Sequence, residues 1–317
     1  MSNWFLYFLI IIFICTIVIS IVISINYISK FKNIIYIGDD IPLNLLYNKN
    51  INFIDKLNFS SNNDIKLSPI LIINVKNEKE RLHHILKQCI KEKLYAIKFG
   101  ACCNGKLSKE TESRFTYNNF FKRNLLLNEK KCFISHEKCL LIASNNKFPT
   151  LILEDDVSLP FNFKNILNKI LIDIKLYIEK YKIKAITVRL GREISSRYSK
   201  KFYIENVDNL LLCKSSFDTG TWAYIVTPEA AKTLLDISNK DKISWQWDHF
   251  INPPYNRTDC NVYDKRIPDI NNYRFFDIKE NDLQPKHRYK LKSDNKRNNI
   301  VQELSTDLII SSTSKKN

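Results

Sequence analysis

FPTLILEDDVSL, residues 148–159, is the stretch from which the fold can be read. Leu151, Ile152 and Leu153 form a short apolar run that stops abruptly at Glu154, Asp155 and Asp156. Apolar runs of this length with β-branched content read as buried strands. Three adjacent charges do not stay in a dry core without partners. The strand must therefore surface here and carry concentrated negative charge at its C-terminal end. In open α/β sheets that edge is where ligands bind. Carboxylate oxygens gathered on one such edge suit a hard divalent cation, Mn²⁺ or Mg²⁺, which in turn holds a diphosphate. The competing structural reading is a set of acids capping the helix that follows Pro160.

Outward from this stretch the pattern is α/β. Residues 70–75 (ILIINV) predict a buried strand. Asn77 is the expected N-cap of the helix after it, with Glu78 and Glu80 at its positive end. Leu82, Ile85, Leu86, Cys89 and Ile90 repeat at helical spacing, and residues 94–99 predict a second strand. This β-α-β unit signals a parallel sheet. Residues 132–144 (CFISHEKCLLIAS) read as a helix leading into the acidic strand. Beyond it, Ile166, Leu167, Ile170, Leu171, Ile174, Tyr177 and Ile178 trace another amphipathic helix. Strands are expected over 185–190 and 221–226, with strand-like pieces over 202–214. Pro228 opens a helix over 229–236. The fold class is a mixed, mainly parallel Rossmann-like sheet flanked by helices.

Of the 317 residues, 44% are hydrophobic and 26% charged, which predicts a chain that mostly folds around a sizeable core. The formal charge of +16 favours anionic partners, although a solvated Lys-rich surface accounts for most of it. The 8 Cys form no CxxC pair and no zinc spacing, so core thiols are the expected reading. No RRM, helix-turn-helix or zinc signature points to a specific nucleic-acid partner.

Residues 4–25 are apolar and uncharged, longer than the ~18 residues that mark a spanning helix. An uncleaved, single-pass N-terminal membrane anchor over residues 1–32 is expected, with a secretory signal peptide as the weaker reading because no basic residue precedes the apolar run and no clear small-residue cleavage site follows it. Lys30 and Lys32 are too few to set its sidedness. Residues 33–68 read as a stem, 69–285 as the catalytic domain and 286–317 as a basic, loosely ordered tail.

Three blocks in order carry a family resemblance. They are Ile72-Ile73-Asn74-Val75 with Glu80-Arg81, then Cys132-Phe133-Ile134-Ser135-His136 leading to Leu151–Val157. The third is Gly220-Thr221-Trp222-Ala223-Tyr224-Ile225-Val226 with Ala230-Ala231, Leu234-Leu235 and Asp248. Together they resemble glycosyltransferase family 25, which includes lipooligosaccharide glycosyltransferases and collagen β-galactosyltransferases. The resemblance implies a GT-A fold, a UDP-sugar donor (usually UDP-galactose), a divalent metal and inversion at the anomeric carbon. It also implies an acceptor hydroxyl on a glycan or a collagen-like protein. Two positions depart from the family pattern. Lys131 stands where a Gly is usual, predicting a crowded tight turn, and Gln246-Trp247-Asp248 replaces Pro-Val-Asp.

Sugar transfer requires a neutralised diphosphate, a deprotonated acceptor and alignment of both. Asp156 is the expected direct metal ligand, with Glu154 as second ligand. Glu154 or Asp155 would reach the ribose or a metal-bound water. Asp248 is the expected general base, with Trp245 and Trp247 stacking on a sugar face and burial raising its pKa. His136 would contact donor phosphate or brace the acidic loop, and Arg81 would pair with phosphate. Asp218 is a second acceptor-side acid and His249 a weaker metal-ligand candidate, while His83 and His84 read as surface. Two competing functions are a catalytically inactive GT-A-fold module that binds sugar or protein, and a basic membrane protein that binds nucleic acid through its tail.

Overall fold

The computed structural model describes residues 13, 15–19, 36–37, 67–102, 105–118, 122–191, 207, 209–214, 220–240, 242–251, 273–278 and 286–287. The strands are β1 (Tyr36–Ile37), β2 (Ile70–Asn74), β3 (Ala96–Gly100), β4 (Thr150–Glu154), β5 (Val157–Ser158), β6 (Ala185–Arg189), β7 (Leu212–Lys214), β8 (Ala223–Val226), β9 (Tyr273–Ile278) and β10 (Lys286–His287). The helices are α1 (Lys79–Lys91), α2 (Lys109–Ser113), α3 (Leu127–Ser144), α4 (Phe163–Tyr181), α5 (Pro228–Lys240) and α6 (Trp247–Ile251).

Eight strands form one sheet in the order β1-β3-β2-β4-β8-β6-β9-β7. β1, β3, β2 and β4 pair in parallel, as do β6 and β9. β8 runs antiparallel between β4 and β6, and β7 runs antiparallel on β9. The sheet is thus mixed and mainly parallel, with helices on both faces. Strand side chains alternate between these faces. Leu71, Ile73, Ile97, Phe99, Ile152, Tyr224 and Val226 face the core shared with α3, α5 and α6. Ile70, Ile72, Leu151, Leu153, Ile186, Val188 and Ile225 face the core shared with α1 and α4. α3 buries residues on nearly every side, from Phe133 to Ser144, because it lies between the sheet, α5 and α6. Its one buried acid, Glu137, is held by Arg114 and by Ser238 of α5.

Three local readings differ from expectation. α1 starts after Glu78, which makes no side-chain cap bond, so Asn77 is not the N-cap. Lys131 lies well inside α3, where its carbonyl accepts from Ser135 Oγ at 2.8 Å, so no tight turn exists there to crowd. Cys132 is exposed, unlike the buried thiols Cys89 and Cys139. No helix among the described residues is long and apolar enough to cross a membrane. Residues 4–25 lie largely outside the described residues, as do 202–206 and the tail after β10.

One contact sets the start of β8. The Trp222 indole lies between Gly191 and Gly220, and a Cβ at either position would overlap the ring. Gly220 also has φ +97, a backbone region costly for any other residue. Gly220→Ala is expected to lower stability by about 1–3 kcal/mol, read as a lower urea midpoint with unchanged m-value.

Candidate active site

The C-terminal ends of β2 and β4 and the incoming end of β8 meet at one edge of the sheet. β4 stops at Glu154, and Asp155 and Asp156 form the turn into β5. Once the strand stops, side-chain alternation no longer applies, and the three acids take three different environments.

Asp155 turns inward and is buried. Its Oδ2 accepts from Asn74 Nδ2 at 2.7 Å and from the Val75 N–H at 3.3 Å. Arg81 lies 3.7 Å from its Oδ1. Burial pushes the Asp155 carboxyl up to about 7, with neighbouring Asp156 adding to the rise and the Asn74, Arg81 and Val75 contacts opposing it. The folded chain thus holds a proton here that the unfolded chain releases near pH 3.8. Stability should therefore fall as pH rises from about 4 to about 7, with a slope of up to ~1.4 kcal/mol per pH unit, and level off above. Asp155→Asn should flatten that slope in urea titrations at pH 5, 6 and 8.

Asp156 is half-buried and meets Arg81 Nη1 at 3.3 Å. Arg81 also lies 3.8 Å from Glu78, so its guanidinium meets carboxylates where phosphate was anticipated. Glu154 points to the other side. Its Oε1 is 3.3 Å from His136 Nε2, and His136 Nδ1 is 3.1 Å from the Tyr224 hydroxyl. The His136 ring stacks on Trp247 at 4.9 Å and 9°. Trp247 is therefore a core residue and no platform for a sugar, and its Nε1 has no acceptor among the described residues. Trp245 is half-buried and packs edge-on against buried His249.

Asp248, in the first turn of α6, accepts from the Gly220 N–H at 2.9 Å and from the Thr221 hydroxyl. The next residue, Trp222, accepts from the Glu154 N–H at 2.8 Å. Residues 220–222 thus join the acidic turn and Asp248 through a single short piece of backbone. Asp218 lies outside the described residues.

Sequence reading missed Cys132 and Glu129. Cys132 is accessible, yet burial within the surrounding protein and then Glu154, Asp248, Glu129 and Asp156 all push its thiol well above the ordinary range. Carboxylates from α3, α6 and the end of β4 thus set a negative field around the accessible Cys132 thiol. Its Sγ, His136 and Glu154 bring their ligand atoms within 4.8 Å of one another. Glu129 binds Arg123 through two 2.7 Å contacts and accepts from the Leu126 N–H and from Gln246. Burial pushes Glu129 up, but those contacts outweigh it and hold the carboxyl below its usual range. Gln246 therefore ties the start of α6 to the start of α3. The only advance signal for Cys132 was its i, i+4 spacing from His136.

None of the curated proteins compared with the chain matches it. The sequence model of glycosyltransferase family 25 (LPS biosynthesis protein) matches residues 67–251, which takes in all the strands and helices from β2 to α6. With more than half of its length matched, the chain belongs to glycosyltransferase family 25, and its membership supports glycosyl transfer from a nucleotide sugar.

Proposed function

We propose that the chain is an inverting, metal-dependent glycosyltransferase of GT-A type. It moves a hexose, galactose in the first instance, from a UDP-sugar to an acceptor hydroxyl on a glycan or collagen-like protein. The observation that carries this reading is the 220–222 link, which joins the acidic end of β4 to Asp248. Donor-side and acceptor-side groups then work at one rim of the sheet.

Of the two acids expected to hold a hard divalent cation, Asp156 meets Arg81 and Glu154 turns the other way to His136, with side-chain exposures of 13% and 29%, so a cation shared by the two requires Glu154 to turn from His136. Asp155 is held by Asn74 and Val75 and serves to fix the turn. When bound, Mn²⁺ or Mg²⁺ supplies Lewis-acid neutralisation of the leaving diphosphate. Arg81 fixes Asp156 and adds positive charge on the same side. His136, locked by Trp247 and Tyr224, orients Glu154. Asp248 accepts the acceptor's hydroxyl proton as the new C–O bond forms and the bond to the diphosphate breaks. Each Asp248 oxygen already accepts one hydrogen bond and retains a second lone pair for that proton. An anchor over residues 4–25, supported by their hydropathy, would hold the enzyme at a membrane.

The test is a donor screen on the full chain. Nucleotide sugars are scored for hydrolysis and transfer with Mn²⁺, with and without chelator, for the wild type and Asp156→Asn. Metal-dependent turnover of one donor that the variant loses is expected. No donor bound or turned over, with no effect of metal, would leave a non-catalytic binding module instead.

A further inference from the structure

We propose that Cys132, His136 and Glu154 form a binding site for a borderline-soft transition-metal ion of the Zn²⁺ class. This centre differs in chemistry from the all-oxygen set on the donor side. It does not depend on the transferase reading.

Cys132 and His136 are one helical turn apart on α3, so they share a face. Glu154 closes the group from the end of β4. The three ligand atoms lie within 4.8 Å of one another. His136 Nε2 and Glu154 Oε1 are already 3.3 Å apart. Two arms of 2.0–2.1 Å at a tetrahedral angle put ligand atoms about 3.3 Å apart, so this pair is preset. Cys132, being exposed, closes on the pair by rotation about its side-chain bonds.

The shell around the group suits a metal. A ligating histidine generally passes its other ring nitrogen to a hydrogen-bonding partner, which fixes the tautomer. Here Nδ1 is 3.1 Å from the Tyr224 hydroxyl, and the ring is stacked on Trp247. A neutral tyrosine hydroxyl both donates and accepts, so it serves His136 whether Nε2 carries hydrogen or metal. Thiolate, imidazole and carboxylate together select zinc-like ions over Mg²⁺ and Ca²⁺. Three protein ligands and an accessible thiol leave a fourth position open to water. On binding, the thiol proton leaves to solvent and a metal–sulfur bond forms. Glu154 belongs to both sets, so a filled centre withdraws one of the two donor-side oxygen ligands.

The test uses the full chain, reduced and stripped of metal, titrated with Co²⁺. One equivalent should give a thiolate-to-cobalt charge-transfer band that Zn²⁺ abolishes. Cys132→Ala and Glu154→Gln should each weaken apparent affinity at least tenfold, whereas Cys102→Ala should leave the band intact. Cys132 is exposed, so its alanine variant keeps the wild-type melting curve, and an unchanged near-UV spectrum checks this. No band in the wild type, or a band undiminished in Cys132→Ala, overturns the proposal.

Discussion

Asp248→Asn is expected to lower kcat/KM for sugar transfer by about 10²- to 10⁴-fold, the span typical of a lost general base. The substitution is close to silent for the fold. The Asn oxygen can keep the Gly220 N–H, and its NH₂ can donate to the Thr221 hydroxyl, which rotates to accept. With donor binding assigned to the β4 acids in the proposed function, it should survive. The loss should therefore fall on kcat with little change in donor KM. Steady-state kinetics beside donor-binding calorimetry separate these terms. Activity within about threefold of wild type would remove Asp248 from the chemistry.

The largest expected effect on stability lies outside the proposed site. Arg189 and Asp277 are side by side on β6 and β9, with side-chain exposures of 0% and 1%. They pair through 2.7 and 3.0 Å contacts, and the Arg189 guanidinium also sits 5.5 Å from the Phe275 ring. Asp277→Ala takes the carboxylate from a buried guanidinium and should cost about 3–5 kcal/mol, a large share of the ~5–15 kcal/mol that holds a typical domain together. Arg189→Met combined with Asp277→Leu removes both desolvation costs and should restore most of the loss. Urea unfolding of single and double variants measures this. A double variant as unstable as Asp277→Ala would show that the pair's neighbours, and not its unpaired charge, set the cost.

How far the sequence reveals all this depends on the range of the interactions. The β2-α1-β3 unit and α4 are legible because their apolar spacing is local and strongly periodic. The acidic end of β4 is legible because charge cannot continue into a core. The insertion of β8 between β4 and β6 is not, since strand order depends on pairings distant in sequence. Nor is the division of labour among Glu154, Asp155 and Asp156, because alternation ends with the strand and Asn74 and Arg81 decide the rest. Trp247 reads like a sugar platform beside Asp248, yet His136 claims its face. Arg189 ends an otherwise apolar run, and nothing near it in sequence announces Asp277.

The reversed direction of β8 has a bearing on redesign. A reversed strand begins where its parallel neighbours finish, so β6 ends and β8 begins at the same rim, with β7 between them in sequence. Exchanging residues 215–219, which lead into the Gly220 that binds Asp248, between members of the family would then alter the sequence next to Asp248 while keeping β7 and the β2-α1-β3 scaffold. Acceptor preference should travel with such a graft, and donor preference should stay behind.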